Sequence, residues 1–353
     1  MMPLFMIGTQ RSGSNLLRLM LNQLPEIAAP HPPHILQRIM PLLSSYGDLS
    51  DDENFSLLVD DVCKLVELNP VPWEHVVLDR KDIARRCRAR SVPAVHGAVY
   101  DVCAEAKGAM TWCCKSLANI NYTTEIESYF VSPKYIYLYR DGRDVAVSFS
   151  KAVVGEKHFY HIAGEWAHTQ ELALALREKI GPERFISISY EELTAYPGTT
   201  AKRLCAFLGV TFRESMLDYY ETDEAKRAAT SSDLWKNVTS PVMANNSRKF
   251  LREADPRDIG IFESVAGRIL DALGYARAVV CPGAEKAFSR EEILAFDDEN
   301  RRRKEERRKL VDPADLIRRD LQSGLLNAVK ERLARRTAAA KVLPRLEPVT
   351  VRP

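Results

Sequence analysis

Eight consecutive residues near the N-terminus could bind an anion: Gly8-Thr9-Gln10-Arg11-Ser12-Gly13-Ser14-Asn15. An apolar run, Leu4-Phe5-Met6-Ile7, precedes them, and a stretch of helical period, Leu16-Leu17-Arg18-Leu19-Met20-Leu21, follows. In a strand–turn–helix of this kind, backbone N–H groups converge on an anion and the positive end of the helix adds to the attraction. The two glycines sit five apart, as in a P-loop. Ser14-Asn15, however, stands where a nucleotidase carries Lys-Ser or Lys-Thr, so the lysine for the β/γ-phosphates and the hydroxyl for Mg²⁺ are both missing there. Arg11 puts a cation inside the turn instead. The segment Gln10, Arg11, Ser12, Gly13, Ser14 and Asn15 therefore reads as a phosphate cradle. The alternative is a plain strand-to-helix turn whose glycines serve geometry alone.

A second segment, Arg140-Asp141-Gly142-Arg143-Asp144-Val145-Ala146-Val147-Ser148, repeats this logic. An apolar run, Tyr135-Ile136-Tyr137-Leu138-Tyr139, ends in a cation, a glycine turn follows, and a helix begins. A guanidinium and a hydroxyl, Arg140 and Ser148, could grip one phosphate, the guanidinium by forked charge-assisted bonds. The other reading is a surface turn stitched by ion pairs. A third apolar run, Met110-Thr111-Trp112-Cys113-Cys114, ends at Lys115. Between the first helix and Ile35, the stretch Pro30-His31-Pro32-Pro33-His34 is too rich in proline for a helix and holds two imidazoles in an extended frame. Imidazole is the side chain best suited to proton transfer near neutral pH. His158, His161 and His168 recur at helical spacing and read as a helix face or a wall of an acceptor pocket.

These residues need a scaffold. Buried strands at 4–8, 110–115, 134–140 and 184–190 alternate with helical stretches at 15–23, 55–68, 96–106, 144–150, 162–179 and 199–208. That alternation predicts an α/β fold: P-loop-like, three-layer α/β/α, with a mainly parallel sheet. Ligands of such sheets bind at the carboxyl ends of the strands, where the cradle, Lys115 and Arg140 all fall. Beyond residue 220 the strand pattern fades. An amphipathic helix is expected at 259–273, and from Glu285 the chain becomes helical and heavily charged, with a further helix behind Pro313 reaching about Arg336. The expected division is a domain at 1–278 and a charged helical C-terminal extension at 279–353, frayed over its last dozen residues.

The chain has 353 residues, 46% of them hydrophobic, enough for one substantial core. Its net charge of +2 gives no general argument for nucleic acid. The part from Cys281 onward has 18 Lys and Arg against 13 Asp and Glu, and the remainder 32 against 35. Charge runs of this kind are usually solvated helix faces, although the extension is also a candidate homodimer contact. Seven cysteines without framework spacing suit a reducing compartment, no long apolar segment predicts a membrane span, and the N-terminus reads without a signal peptide. The expected location is cytoplasmic. No His/Cys cluster has metal-ligand spacing, so no metal is expected.

Together the motifs resemble the sulfotransferase superfamily, whose donor is 3′-phosphoadenosine 5′-phosphosulfate (PAPS). The similarity runs from about Phe5 to Tyr275. It includes Lys115-Ser116-Leu117-Ala118-Asn119, Ser189-Tyr190-Glu191-Glu192-Leu193, Phe207-Leu208-Gly209, the stretch from Pro241 to Lys249 and Leu273-Gly274-Tyr275. The resemblance implies sulfuryl transfer from PAPS as co-substrate to a hydroxyl-bearing acceptor. Gly8–Leu17 would hold the 5′-phosphosulfate, with Arg11 as the catalytic cation, and Lys115 would assist it. Arg140 and Ser148, with the family's spacing of eight, would hold the 3′-phosphate. Tyr190, Arg248 and Lys249 would complete the nucleotide site. Many members place a Glu base where this chain has Pro32, so the base here is expected at His34, two residues on, with His31 in reserve. The acceptor pocket is expected from 36–90, 153–166 and 222–235. Two rival readings use the same cradle. One is a P-loop phosphotransferase or nucleotide hydrolase, the other a nucleotide-binding scaffold without catalysis.

Overall fold

The computed structural model describes residues 2–231, 237–243, 246–310 and 313–342. Trp235, the Ala244-Asn245 pair and most of the stretch expected to fray lie outside the described residues. The described elements run β1 (Leu4–Gly8), α1 (Ser14–Asn22), β2 (Ile27–Ala28), α2 (Ile35–Ile39), α3 (Asp52–Glu67), α4 (Arg80–Arg86), α5 (Val92–Lys107), β3 (Thr111–Cys114), α6 (Thr123–Tyr129) and β4 (Lys134–Tyr139). They continue as α7 (Gly142–Lys151), α8 (Phe159–Ile180), β5 (Phe185–Ser189), α9 (Tyr190–Ala195), α10 (Pro197–Leu208), α11 (Asp223–Ser231), α12 (Phe250–Glu253), α13 (Pro256–Ala272), α14 (Arg290–Arg308) and α15 (Pro313–Val342).

The sheet order is β2-β3-β1-β4-β5, and every pairing is parallel. Parallel strands with both faces covered have no polar side, which is why β1 and β4 read as unbroken apolar runs. Successive residues nonetheless serve opposite faces. Phe5, Ile7, Tyr135 and Tyr137 enter one core cluster with α3 and α5. Leu4, Met6, Ile136 and Leu138 enter the other with α1 and α10. A third cluster joins α7 and α8 to α13 through Trp166 and Phe262. The expected three-layer α/β/α architecture is therefore present.

Helix starts follow local chemistry. The side chains of Asp51, Ser91 and Ser189 accept the backbone N–H of Asn54, Ala94 and Glu192, satisfying donors that a first helical turn leaves open. Sequence reading places the major helices but leaves out the short α4, α6, α9 and α11. α4 buries only Ile83, too little apolar surface to show a period. The expected extended stretch also ends earlier than predicted. Proline restricts the residues up to Pro33, and α2 begins at Ile35.

Within the first core cluster His96 is fully buried, stacked on Trp112 at 5.7 Å and tilted against Tyr100 at 4.8 Å. Among the described residues neither ring nitrogen has a hydrogen-bond partner. Burial pushes its pKa down to about 3. A buried polar atom without a partner costs roughly 1–3 kcal/mol. His96→Phe is therefore expected to raise unfolding stability by about that amount, measured by urea denaturation near neutral pH. A loss of stability would mean that the ring has a polar partner.

Candidate active site

A cavity of about 660 Å³ opens where β1, β3 and β4 end. Gln10, Gly13, Ser14 and Asn15 line it from the turn and first helix, Lys115 from the end of β3, and Arg140 from the end of β4. Both glycines of the turn are required by contact. A Cβ on Gly8 would lie 2.1 Å from the Leu138 carbonyl oxygen, and one on Gly13 would lie 2.6 Å from the Tyr190 ring. Arg11 itself has φ of 69°, the left-handed region that a residue with a Cβ rarely enters.

The two predicted anion sites meet in this cavity. Arg11 Nε donates to Ser148 Oγ at 2.8 Å, and Arg140 Nη1 donates to the Arg11 carbonyl at 3.1 Å. The Arg140 guanidinium lies 4.1 Å from the centre of the Tyr190 ring, a cation–π contact. Tyr190 OH accepts from Asn246 Nδ2 at 2.7 Å, and Lys249 Nζ reaches Asn246 Oδ1 at 3.3 Å. Ser148 thus joins Arg140 through Arg11 rather than by direct contact. Lys249 lines the cavity, whereas Arg248 is exposed and Ser12 is buried beneath the turn, and neither of these lines it.

The Arg140–Asp144 segment combines both sequence readings. Arg143 is the ion-pair stitch: it is buried between Asp141 at 2.7 Å and Glu263 at 2.6 Å. Asp144 accepts the backbone N–H groups of Arg248 at 2.7 Å and Phe250 at 3.0 Å, which brings Lys249 to the cavity.

Six cationic side chains line the cavity: Arg11, Arg38, Lys115, Arg140, Lys249 and Lys330. Among the described residues no Asp or Glu lines it. The crowding is visible in the ionisation. Burial, then Arg18, hold Lys115 down to about 7. Burial and Arg140 lower Arg11, and the same two causes lower Lys249.

Both predicted imidazoles line the cavity, but their surroundings differ. His34 has φ of 62° at the start of α2, and its Nδ1 lies 3.0 Å from Ser116 Oγ. With Nδ1–H donating to Ser116, Nε2 keeps a lone pair for a proton. His31 Nδ1 faces the Asn69 side-chain amide nitrogen at 3.3 Å. That nitrogen donates to the His31 and Val71 carbonyls, both at 2.9 Å, which fixes it as NH₂. Both amide hydrogens are then engaged by carbonyls, so the contact with Nδ1 does not fix the tautomer of His31. Burial, then Lys115 and Arg38, hold His34 at about 3, and burial with Lys115 and Arg18 puts His31 well below the usual imidazole range.

Several contributors escaped the sequence reading. Arg18 is fully buried and bonds Glu224, Asn15 Oδ1 at 3.1 Å and the Ala29 carbonyl at 3.0 Å. It clamps the cradle helix to α11 and to the histidine segment. An arginine inside Leu17-Arg18-Leu19, on an otherwise apolar helix, was the available signal. Of the segments expected to form the acceptor pocket, 36–90 supplies Gln37, Arg38, Pro41 and Leu42, and 153–166 supplies Val154. No residue described within 222–231 lines the cavity, and 232–236 lie outside the described residues. Leu326 and Lys330 of α15 also line it, which charge patterning did not suggest. His158 and His161 do not: His158 caps α8 and stacks on Phe296 of α14 at 4.5 Å, and His161 faces Asp297 at 3.1 Å. Groups of three or more His, Cys, Asp or Glu able to hold a metal are absent among the described residues.

A cationic cavity thus lies at the carboxyl ends of a parallel sheet, with a glycine-bracketed turn at its centre, the place where open α/β sheets bind ligands. The chain belongs to the sulfotransferase family, whose model matches residues 3–214. It is 23% identical over 283 residues to the protein-tyrosine sulfotransferase of Drosophila melanogaster, covering 78% of this chain and 52% of that protein. It is also 23% identical over 226 residues to protein-tyrosine sulfotransferase 2 of Gallus gallus, covering 62% and 54%. The chain thus spans about half the length of these curated relatives. Among solved structures, the sulfotransferase domain of the Synechococcus PCC 7002 olefin synthase has the same fold, with a TM-score of 0.51 at 20% identity, over 75% of this chain and 94% of that one.

Both cavity imidazoles are neutral in the fold and would protonate near 6.5 if exposed. The unfolded chain therefore binds more protons as the medium acidifies. Stability is fully present above about 6.5 and falls as pH drops toward about 3, by as much as about 1.4 kcal/mol per pH unit for each such imidazole. Chemical denaturation between pH 7 and 5 is expected to show this slope, shallower in His34→Gln. A flat profile over that interval would mean that the rings already titrate normally in the fold.

Proposed function

We propose that the chain transfers a sulfuryl group from 3′-phosphoadenosine 5′-phosphosulfate to a hydroxyl of an acceptor. The observation that carries this reading is that the Gln10–Asn15 turn with Arg11, and Arg140 with Ser148 and Lys249, all line one cavity. A donor with phosphate at both ends of its nucleoside matches two grips, and membership of the sulfotransferase family supports it. The Gln10–Asn15 turn would hold the 5′-phosphosulfate. Arg140, Ser148 and Lys249 would hold the 3′-phosphate, with Tyr190 packed beside it. Arg248 would contribute through its backbone bond to Asp144.

The reaction is an in-line displacement at sulfur. The acceptor oxygen forms a bond to sulfur while the bond from sulfur to the bridging phosphate oxygen breaks, releasing adenosine 3′,5′-bisphosphate. The acceptor proton passes to His34 Nε2, and Ser116 holds the tautomer that leaves that nitrogen open. Arg11, Lys115 and the turn N–H groups stabilise the charge growing on the leaving oxygen. The arriving donor is strongly anionic and raises the pKa of the histidine and lysine beside it, because opposite charge favours their protonated forms. His31, which also lines the cavity, is the reserve base.

Adenosine 3′,5′-bisphosphate without Mg²⁺ is expected to raise the thermal midpoint of the wild type. At a hundredfold excess over Kd the gain is about 2.7 kcal/mol, and Arg11→Ala and Arg140→Ala should each lose it. Transfer of labelled sulfuryl groups should fall about 10²–10⁴-fold in His34→Ala while bisphosphate binding persists. A shift with ATP and Mg²⁺ but none with the bisphosphate would replace this reading with phosphoryl transfer.

Lys115 must be charged to help the leaving group, and its pKa is about 7 in the free protein. Donor kcat/KM is therefore expected to fall as pH rises through about 7, and Lys115→Arg should move that limb to higher pH. An alkaline limb that ignores this substitution would remove Lys115 from the leaving-group role.

A further inference from the structure

The C-terminal helix α15 lies outside the part of the chain that the family model matches, yet it reaches the cavity. Its seat is well made. Gln322 is buried, accepts from Arg38 Nη1 and donates to the Leu65 carbonyl at 2.7 Å. Leu325 packs on the main core cluster and Val329 is fully buried in it. Arg332 pairs with Asp61 at 2.8 Å. These contacts recur at 322, 325, 329 and 332, one continuous helix face. Leu326 and Lys330 flank that face, one turn apart, and both line the cavity.

The cavity around them mixes apolar and cationic surface. Pro41, Leu42 and Leu326 offer apolar contact, with Arg38 and Lys330 beside them. Arg38 already serves Gln322 and sits close enough to His34 to lower its pKa. Among the described residues Lys330, an exposed residue at the cavity's edge, enters no ion pair, and no carboxylate lines the cavity beside it. The nucleotide grips lie elsewhere in the cavity, on Arg11, Arg140 and Lys249. An unpaired cation beside apolar residues, on a wall shared with the base, calls for a ligand that is apolar with one anionic group.

We propose that α15 forms one wall of the acceptor site and that Lys330 selects acceptors whose hydroxyl is carried on an apolar chain or ring bearing an anionic group, such as a carboxylate or phosphate. This rests on the sulfuryl-transfer reading. Lys330 acts as a specificity residue, pairing with the anionic group while the hydroxyl meets His34. Leu326 packs against the apolar part.

The test is calorimetric titration of the full chain, saturated with adenosine 3′,5′-bisphosphate so that the nucleotide grips are filled. The probes are ω-hydroxyoctanoate, octanol and ω-aminooctanol. The wild type is expected to bind the hydroxy acid about tenfold tighter than the neutral alcohol, and the amino alcohol most weakly. Lys330→Ala should reduce the hydroxy acid to the level of octanol, and Lys330→Glu should favour the amino alcohol, both with unchanged bisphosphate affinity. In turnover with the hydroxy acid as acceptor, Lys330→Ala should raise KM more than it lowers kcat. Arg335→Ala, an exposed residue of the same helix paired with Glu331, should leave the preference intact. Equal binding of the three probes by the wild type, no binding of any, or a preference that survives Lys330→Ala overturns the proposal. Failure of the bisphosphate itself to bind would overturn the sulfuryl-transfer reading, and this inference with it. Bisphosphate binding without a carboxylate preference overturns this inference alone.

Discussion

Crowded positive charge at the carboxyl ends of the sheet is the constraint on which the site depends. Six cations line the cavity, and among the described residues no carboxylate does. Like charges at short range in a medium less polar than water repel strongly. Burial first, and then neighbouring arginines, make Arg11, Lys115 and Lys249 hold their protons less firmly than they would in water. Such an arrangement costs stability in the empty protein. Under the proposed reaction that cost is offset when the donor arrives, because each phosphate or sulfate group then meets several oriented donors at once.

The fold keeps this charge in place by putting its carboxylates one layer back. Glu224 holds Arg18 beneath the cradle. Asp144 holds the loop that carries Lys249, through two backbone N–H groups. Asp141 and Glu263 hold Arg143, and Glu263 also gathers the N–H groups of Ala278, Val279 and Val280. None of these carboxylates lines the cavity. They neutralise structural arginines and position loops, and Asp144 also lies 3.5 Å from Nη2 of the cavity-lining Arg140, which offsets part of its charge. Removing one partner of such a buried pair leaves the other charge stranded, and this ordinarily costs more than the pair contributed. The placement of charge therefore depends on the packing behind it.

Much of this is legible in the order of the amino acids. The apolar runs locate four of the five strands, and each cation expected at a carboxyl end stands there. Gly8 and Gly13 are legible as a turn, although their reason lies in contacts with Leu138 and Tyr190, far along the chain. The two-residue strand β2 carries no periodic signal at all. Long-range partnerships are equally silent. Nothing near Arg38 announces Gln322, which lies 284 residues further on. The charge pattern of the extension correctly suggests solvated faces, since α14 buries only Phe296 and Asn300. It hides the buried face of α15, where small and polar residues stand between Gln322 and Val329 and the period is diluted.

An imidazole suits this cavity better than a carboxylate would. A carboxylate at the place of His34 would have Lys115 and Arg38 as neighbours, ionise and pair with them, lowering both its own basicity and the charge available to the leaving group. His34 carries no charge in the empty cavity, because burial and those same cations hold it neutral. It therefore takes nothing from the positive field that would bind the donor. Under the proposed reaction, the donor's negative charge offsets the neighbouring cations and moves the imidazole toward the pKa at which proton transfer is most efficient. The base then strengthens when the donor is in place and stays weak when it is not. Donor binding and proton acceptance become linked through charge alone, with no movement of the fold required.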